Sequence, residues 1–145
     1  MDNLLAVLTL VGAATLVGLA YRFLHGRGHS VKSKKQIDLE RLRPIRNGQV
    51  SLALGAEATL LQFSTSYCGQ CPSVRRQLVA LDQELGSVHH LEVDITDRLD
   101  VAAHFGINQT PTVFLLNAKG QLVYRVGGIP NLAKLKVELE KLGVK

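Results

Sequence analysis

The strongest constraint in this chain is an uncharged run of 18 residues, Leu4 to Tyr21. A helix needs about 20 largely apolar residues to cross a bilayer, and Arg22 at the end of this run is placed to snorkel to the interface. Thr9 and Thr15 are its polar members, so no polar stripe recurs at helical spacing. Residues 1–24 are therefore read as a single N-terminal transmembrane helix, with residues 4–24 in contact with the membrane. Two other readings stay open. A buried core helix of this length without charge is rare in a small soluble domain. A cleaved signal peptide finds a small-x-small site in Gly18-Leu19-Ala20, although Asp2 precedes the run and no Lys or Arg does.

Charge sets the expected orientation. The formal net charge is +5, and much of the excess lies between Arg22 and Arg46. Arg22, Arg27, Lys32, Lys34, Lys35, Arg41, Arg43 and Arg46 all follow the apolar run. The positive-inside rule puts the N-terminus outside and the remainder in the cytoplasm, with an extracytoplasmic domain as the alternative. A basic run directly after an apolar segment favours a membrane surface as partner over nucleic acid. Residues 25–36 are rich in Gly, Ser and charge and read as a basic flexible tether. His25 and His29 within it fall short of a metal-ligand set.

Residues 37–145 read as the folded domain. Residues 37–54 fit a strand, a short helix, or one of each, broken by Pro44 and Gly48. Beyond them the pattern sharpens. Ala58–Phe63 is an apolar run of strand length. Val74, Leu78, Leu81 and Leu85 recur at helical spacing from Cys71, and Gly86 ends that helix. Val88–Ile95 reads as a strand and Asp97–Phe105 as a short helix. Thr112–Leu116 and Gln121–Val126 read as strands joined by the turn Asn117-Ala118-Lys119-Gly120. A last helix follows Asn131. The order implies a right-handed βαβ unit followed by a hairpin and helix. The expected class is α/β: a mixed sheet of four or five strands with helices on both faces.

Only two cysteines are present, Cys68 and Cys71, too few for a disulfide scaffold. They fall where the Ala58–Phe63 strand gives way to the helix. Free backbone N–H groups and the dipole at a helix start favour a thiolate, the nucleophilic form of cysteine. Cys68 is placed to be that thiolate, and Cys71, one turn on, to attack a mixed disulfide at Cys68 and release the partner reduced. Half a zinc site and an inert core pair are the other readings of a lone CxxC. His89, His90 and His104 match no familiar ligand spacing. No Gly-rich phosphate loop suggests an organic cofactor, so the redox-active disulfide Cys68–Cys71 is expected to serve alone.

The segment Phe63–Cys71, FSTSYCGQC, resembles the thioredoxin active-site stretch. Leu91-Glu92-Val93-Asp94 is similar to the family's third strand, Gln109-Thr110-Pro111-Thr112 to its cis-proline loop, and Gly127-Gly128 to its final bulge. The resemblance implies a thioredoxin-like fold over about residues 55–142 and a thiol–disulfide oxidoreductase. It makes Cys68 the attacking cysteine and Cys71 the resolving one. Pro111 would be cis and face the pair, with Thr110, Gly127 and Gly128 meeting an extended substrate segment. Tyr67, Gly69 and Gln70 would support the active site. The sequence also departs from the family. Tyr67 replaces Trp as an aromatic lid, and Gln70 replaces Pro. Gln62 replaces a buried Asp that assists proton transfer at the resolving cysteine, and Gln is no general base. Glu92 and Asp94 read as surface or edge residues, not as substitutes for that Asp. The expected partners are protein thiols or disulfides and an upstream electron donor or acceptor. A membrane-tethered reductase, an outward-facing oxidase, isomerase or cytochrome-maturation reductant, and a non-catalytic adaptor or metal-binding module are the functions to separate.

Overall fold

A computed structural model describes residues 1–24, 28–31, 33 and 35–145. In chain order these form α1 (Asp2–Leu24), β1 (Gly28–Ser30), α2 (Leu39–Leu42), β2 (Ile45–Arg46), β3 (Gln49–Val50) and β4 (Ala58–Ser64). Then come α3 (Cys71–Leu85), β5 (Val88–Asp94), α4 (Leu99–His104), β6 (Thr112–Asn117), β7 (Leu122–Gly127) and α5 (Leu132–Glu140). The strands make one sheet in the order β1-β7-β6-β4-β5-β2-β3. β4 and β5 run parallel, while the neighbouring pairs on either side are antiparallel.

Every residue of β4 is buried. A central strand covered on both faces needs no polar alternation, which is why Ala58–Phe63 reads as one apolar run. Alternate side chains then feed two cores. On one face, Ala58 and Leu60 pack with Val74 and Leu78 of α3 and with Leu135 and Leu139 of α5. On the other, Leu61 and Phe63 pack with Leu42 of α2, Val101 of α4 and Phe114 of β6. The Phe63 and Phe114 rings meet edge to face, with centroids 4.9 Å apart. Helices therefore lie on both faces of a mixed sheet, the thioredoxin-like architecture.

Seven strands stand where four or five were expected, because short pieces extend both edges. Asn47 and Gly48 both take positive φ and turn the chain between β2 and β3, and Ile45 of β2 pairs with Glu92 of β5. At the other edge, β1 pairs with β7, Gly28 opposite Val126 and Ser30 opposite Tyr124. Val31 N–H then donates to the Val123 carbonyl at 2.8 Å, and Ile37 N–H to that of Gly120 at 2.9 Å. The described part of segment 25–36 thus lies along a strand and differs from the free tether its composition suggested; unpaired edge N–H and C=O groups of β7 take up the chain. His25, Arg27, Lys32 and Lys34 lie outside the described residues.

Within α1, the candidate span Asn3–Phe23 covers 21 residues, and its most apolar 18 have a mean hydropathy of 2.2 with none of them buried. A core helix would be covered, so that reading of the apolar run does not hold.

Candidate active site

The carboxyl end of β4 delivers the chain to one end of the sheet, and α3 leaves from there. Thr65 to Gln70 bridges the two, with Cys68 N–H bonded to the Thr65 carbonyl at 3.2 Å. Gln70 is the N-cap of α3 but provides no side-chain cap. A sulfur takes that place: Cys71 N–H points at Cys68 Sγ, 3.2 Å away. Pro72 falls in the first turn, where a missing N–H costs little. The two cysteines form a disulfide with Cα atoms 5.5 Å apart. They are unequal in access. Cys71 is only 1% exposed, whereas Cys68 is half-buried at the surface. Any thiolate formed at Cys68 inherits the hydrogen bond from the helix N-terminus, which favours the charged form.

A second loop closes on the first. The Thr110–Pro111 peptide is cis, and Pro111 is buried. The Thr110 and Thr65 hydroxyls lie 3.4 Å apart, joining the loop before the cysteines to the proline loop. Gly128 N–H donates to the Pro111 carbonyl at 2.7 Å. Gly127 faces Thr112 across β6 and β7, and a Cβ there would come within 2.3 Å of the Gln109 amide. Gln70, Gln109, Thr110 and Gly128 line one cleft. Cys68, Gln70, Thr110, Pro111, Gly127 and Gly128 are thus gathered at one end of the sheet. Gly69 is exposed beside them and has open space where a Cβ would stand. Tyr67, next to Cys68, is 90% exposed.

Beneath Cys71 lies a buried polar pair. Gln62 is fully buried, and its side-chain amide donates to the Cys71 carbonyl at 3.1 Å. Its Oε1 lies 3.1 Å from His90 Nε2, which must carry a proton to make that bond. Burial drives the His90 pKa from 6.5 down to about 4, so the imidazole is neutral at physiological pH. His90 backbone N–H in turn donates to Asp82 at 2.9 Å. Burial alone would push the Asp82 carboxyl up; hydrogen bonds from Arg46 and from the His90 backbone overcome this and leave it below the usual carboxylate range. Glu92 and Asp94 do not substitute for a carboxylate at position 62. Glu92 is taken by Arg75 and Ser64, and Asp94 is exposed and holds Thr96. Sequence reasoning gave His90 no role beyond a possible ligand. A signal was present, since Val88, His90 and Glu92 alternate onto the face that α3 covers.

The thioredoxin family model matches residues 47–141, well over half of the chain. The chain belongs to the thioredoxin family. The thioredoxin of Ovis aries is 33% identical over 88 residues, which cover 61% of this chain and 82% of that protein. Human thioredoxin is 32% identical over 90 residues, covering 62% and 84%. Among solved structures, Chlamydomonas reinhardtii thioredoxin f2 superposes with a TM-score of 0.54 over 73% of this chain and 93% of its own, at 22% identity. Fasciola hepatica thioredoxin gives a TM-score of 0.51 at 24% identity, over 60% and 82%. The structures show a shared fold; the family membership together with the Cys68–Cys71 pair makes this thioredoxin-family chain a thiol–disulfide oxidoreductase.

Proposed function

We propose that the thioredoxin domain is a dithiol reductase of protein partners, held at a membrane by α1 and facing the cytoplasm. The observation that carries the chemistry is the Cys71 N–H aimed at the accessible sulfur of Cys68, over a buried Cys71. In the reduced protein, the Cys68 thiolate attacks a partner disulfide. One partner sulfur bonds to Cys68, and the other leaves as a thiolate. Cys71 loses its proton and attacks Cys68 Sγ, which expels the second partner thiolate and closes the Cys68–Cys71 disulfide. Two electrons pass to the partner, and an external dithiol donor restores the pair. No bound organic cofactor enters this cycle. The Gln62 amide is no base, and burial leaves His90, with its pKa lowered to about 4, a weak one, so the proton of Cys71 leaves to water. The cis-Pro111 loop, with Thr110, offers backbone to an extended partner segment.

The exposed apolar helix and the basic residues after it support the tethering and its direction. Arg41 and Arg46 are held in ion pairs within the folded domain, so the orientation signal rests on the basic residues nearer the span. Labelling of reduced Cys68 in intact cells with an impermeant thiol reagent tests the side. Labelling only after permeabilisation is expected, and labelling without it would place the domain outside and favour an oxidase, isomerase or cytochrome-maturation role.

A further inference from the structure

We infer that the domain is docked with its active-site end against the bilayer, and that its partners are membrane proteins carrying disulfides at the bilayer surface. This rests on the membrane-tethered reading above. Strand directions carry it. β7 runs towards Gly128, whose N–H bonds to Pro111, so the last residues of β7 lie at the active-site end. β1 is antiparallel to β7 and enters at Gly28 opposite Val126. The chain therefore arrives from the membrane at the same end of the sheet as the cysteines, and it leaves along β7 towards the far end.

The connection is short. Three residues separate Leu24, the last of α1, from Gly28, the first of β1. Four Cα steps reach at most about 14 Å. The register places Gly28 level with Val126, Val113 and Gln62, and Gln62 bonds to the Cys71 backbone. Between β1 and β4 lie β7 and β6, so the lateral offset is three strand spacings, about 14 Å. Consistent with this, Tyr21, Arg22 and Phe23 of the last turn of α1 line the cleft that Gln70, Gln109 and Thr110 also line. Pairing of Gly28–Ser30 with β7, and the bonds from Val31 N–H to Val123 and from Ile37 N–H to Gly120, keep the domain from swinging out on a long leash. Gly28 suits this close approach, because a Cβ there would fall 1.9 Å from the Tyr124 hydroxyl.

The full chain in phosphatidylcholine–phosphatidylglycerol vesicles provides the test. Two transmembrane probe peptides carry the same quenched-fluorophore disulfide. One holds it at the bilayer surface, and the other raises it by about 40 Å on a rigid helix of about 27 residues. The wild type is expected to reduce the surface disulfide at least about tenfold faster. A variant with about 30 Gly/Ser residues inserted between Leu24 and Gly28 has a reach of about 30 Å and is expected to lose that preference while reducing insulin as fast as the wild type. Equal rates on the two probes for the wild type, or an unchanged preference in the extended variant, overturn the inference. Failure of the chain to float with the vesicles refutes the membrane reading and this inference with it. Flotation without insulin reduction refutes the reductase reading instead.

Discussion

Acidification is expected to destabilise the domain through His90 before its carboxylates respond. His90 is 5% exposed and gives its Nε2 proton to Gln62. Its pKa falls from 6.5 to about 4 on burial. Because the folded value lies below the unfolded one, the unfolded chain binds the proton more tightly. The neutral ring contributes fully above pH 6.5, and its contribution is lost as pH falls towards about 4. The whole difference corresponds to about 3 kcal/mol, and about 2 kcal/mol of it is lost between about pH 7 and 4.5. Asp82, Asp94 and Asp100 are also held below the usual carboxylate range. Their stabilisation is complete above the unfolded carboxylate value and fades beneath it, so it adds little to that interval. Urea denaturation of the oxidised full chain in mild detergent, across that pH range, measures the slope for wild type and His90→Leu. The variant starts less stable because Gln62 Oε1 loses its donor, but its slope is expected to be flatter by about 2 kcal/mol over the interval. Parallel slopes in the two proteins would refute the argument.

Three further outcomes follow from the packing. Gln62→Leu leaves the His90 N–H unpaired in the core and takes from the Cys71 carbonyl the second of its two donors, the first being the helical N–H one turn on, and should cost about 1–3 kcal/mol. Combined with His90→Leu in a double-mutant cycle, it should cost at least about 1 kcal/mol less than the sum of the single changes. Gly55→Ala would bring a Cβ within 2.0 Å of the Ala58 carbonyl and 2.6 Å of His89 N, both backbone atoms, so thermal unfolding should report a loss of about 3 kcal/mol or more. Asn131→Ala removes the side-chain oxygen that accepts from Lys134 N–H at 3.1 Å at the start of α5, and circular-dichroism melting should show a loss of about 1 kcal/mol.

The long elements were legible because burial writes a period into the sequence. β4 reads as a solid apolar block since both its faces are covered, and α3 shows Val74, Leu78 and Leu81 on the one face it buries. Asn131 and Asn117 announce a helix start and a turn by chemistry that the structure uses. Residues 37–54 were not legible because β2 and β3 are two residues each, too short to show alternation. The Asn47-Gly48 dipeptide was the available hairpin signal. β1 escaped notice because its three residues, Gly28, His29 and Ser30, pair through backbone alone and carry no apolar side chain. At the site, the cysteines and the proline loop were marked by motif. The Gln62–His90 contact was not, since it depends on the register that places Leu60 beside His90 across β4 and β5.

The most direct test of the central claim is reduction of insulin by the full chain with a dithiol donor, comparing wild type with Cys68→Ser. The accessible sulfur that accepts the first N–H of α3 is expected to carry the attack, so the variant should fall to the rate of the donor alone. A wild type no faster than Cys68→Ser would contradict exchange through this pair.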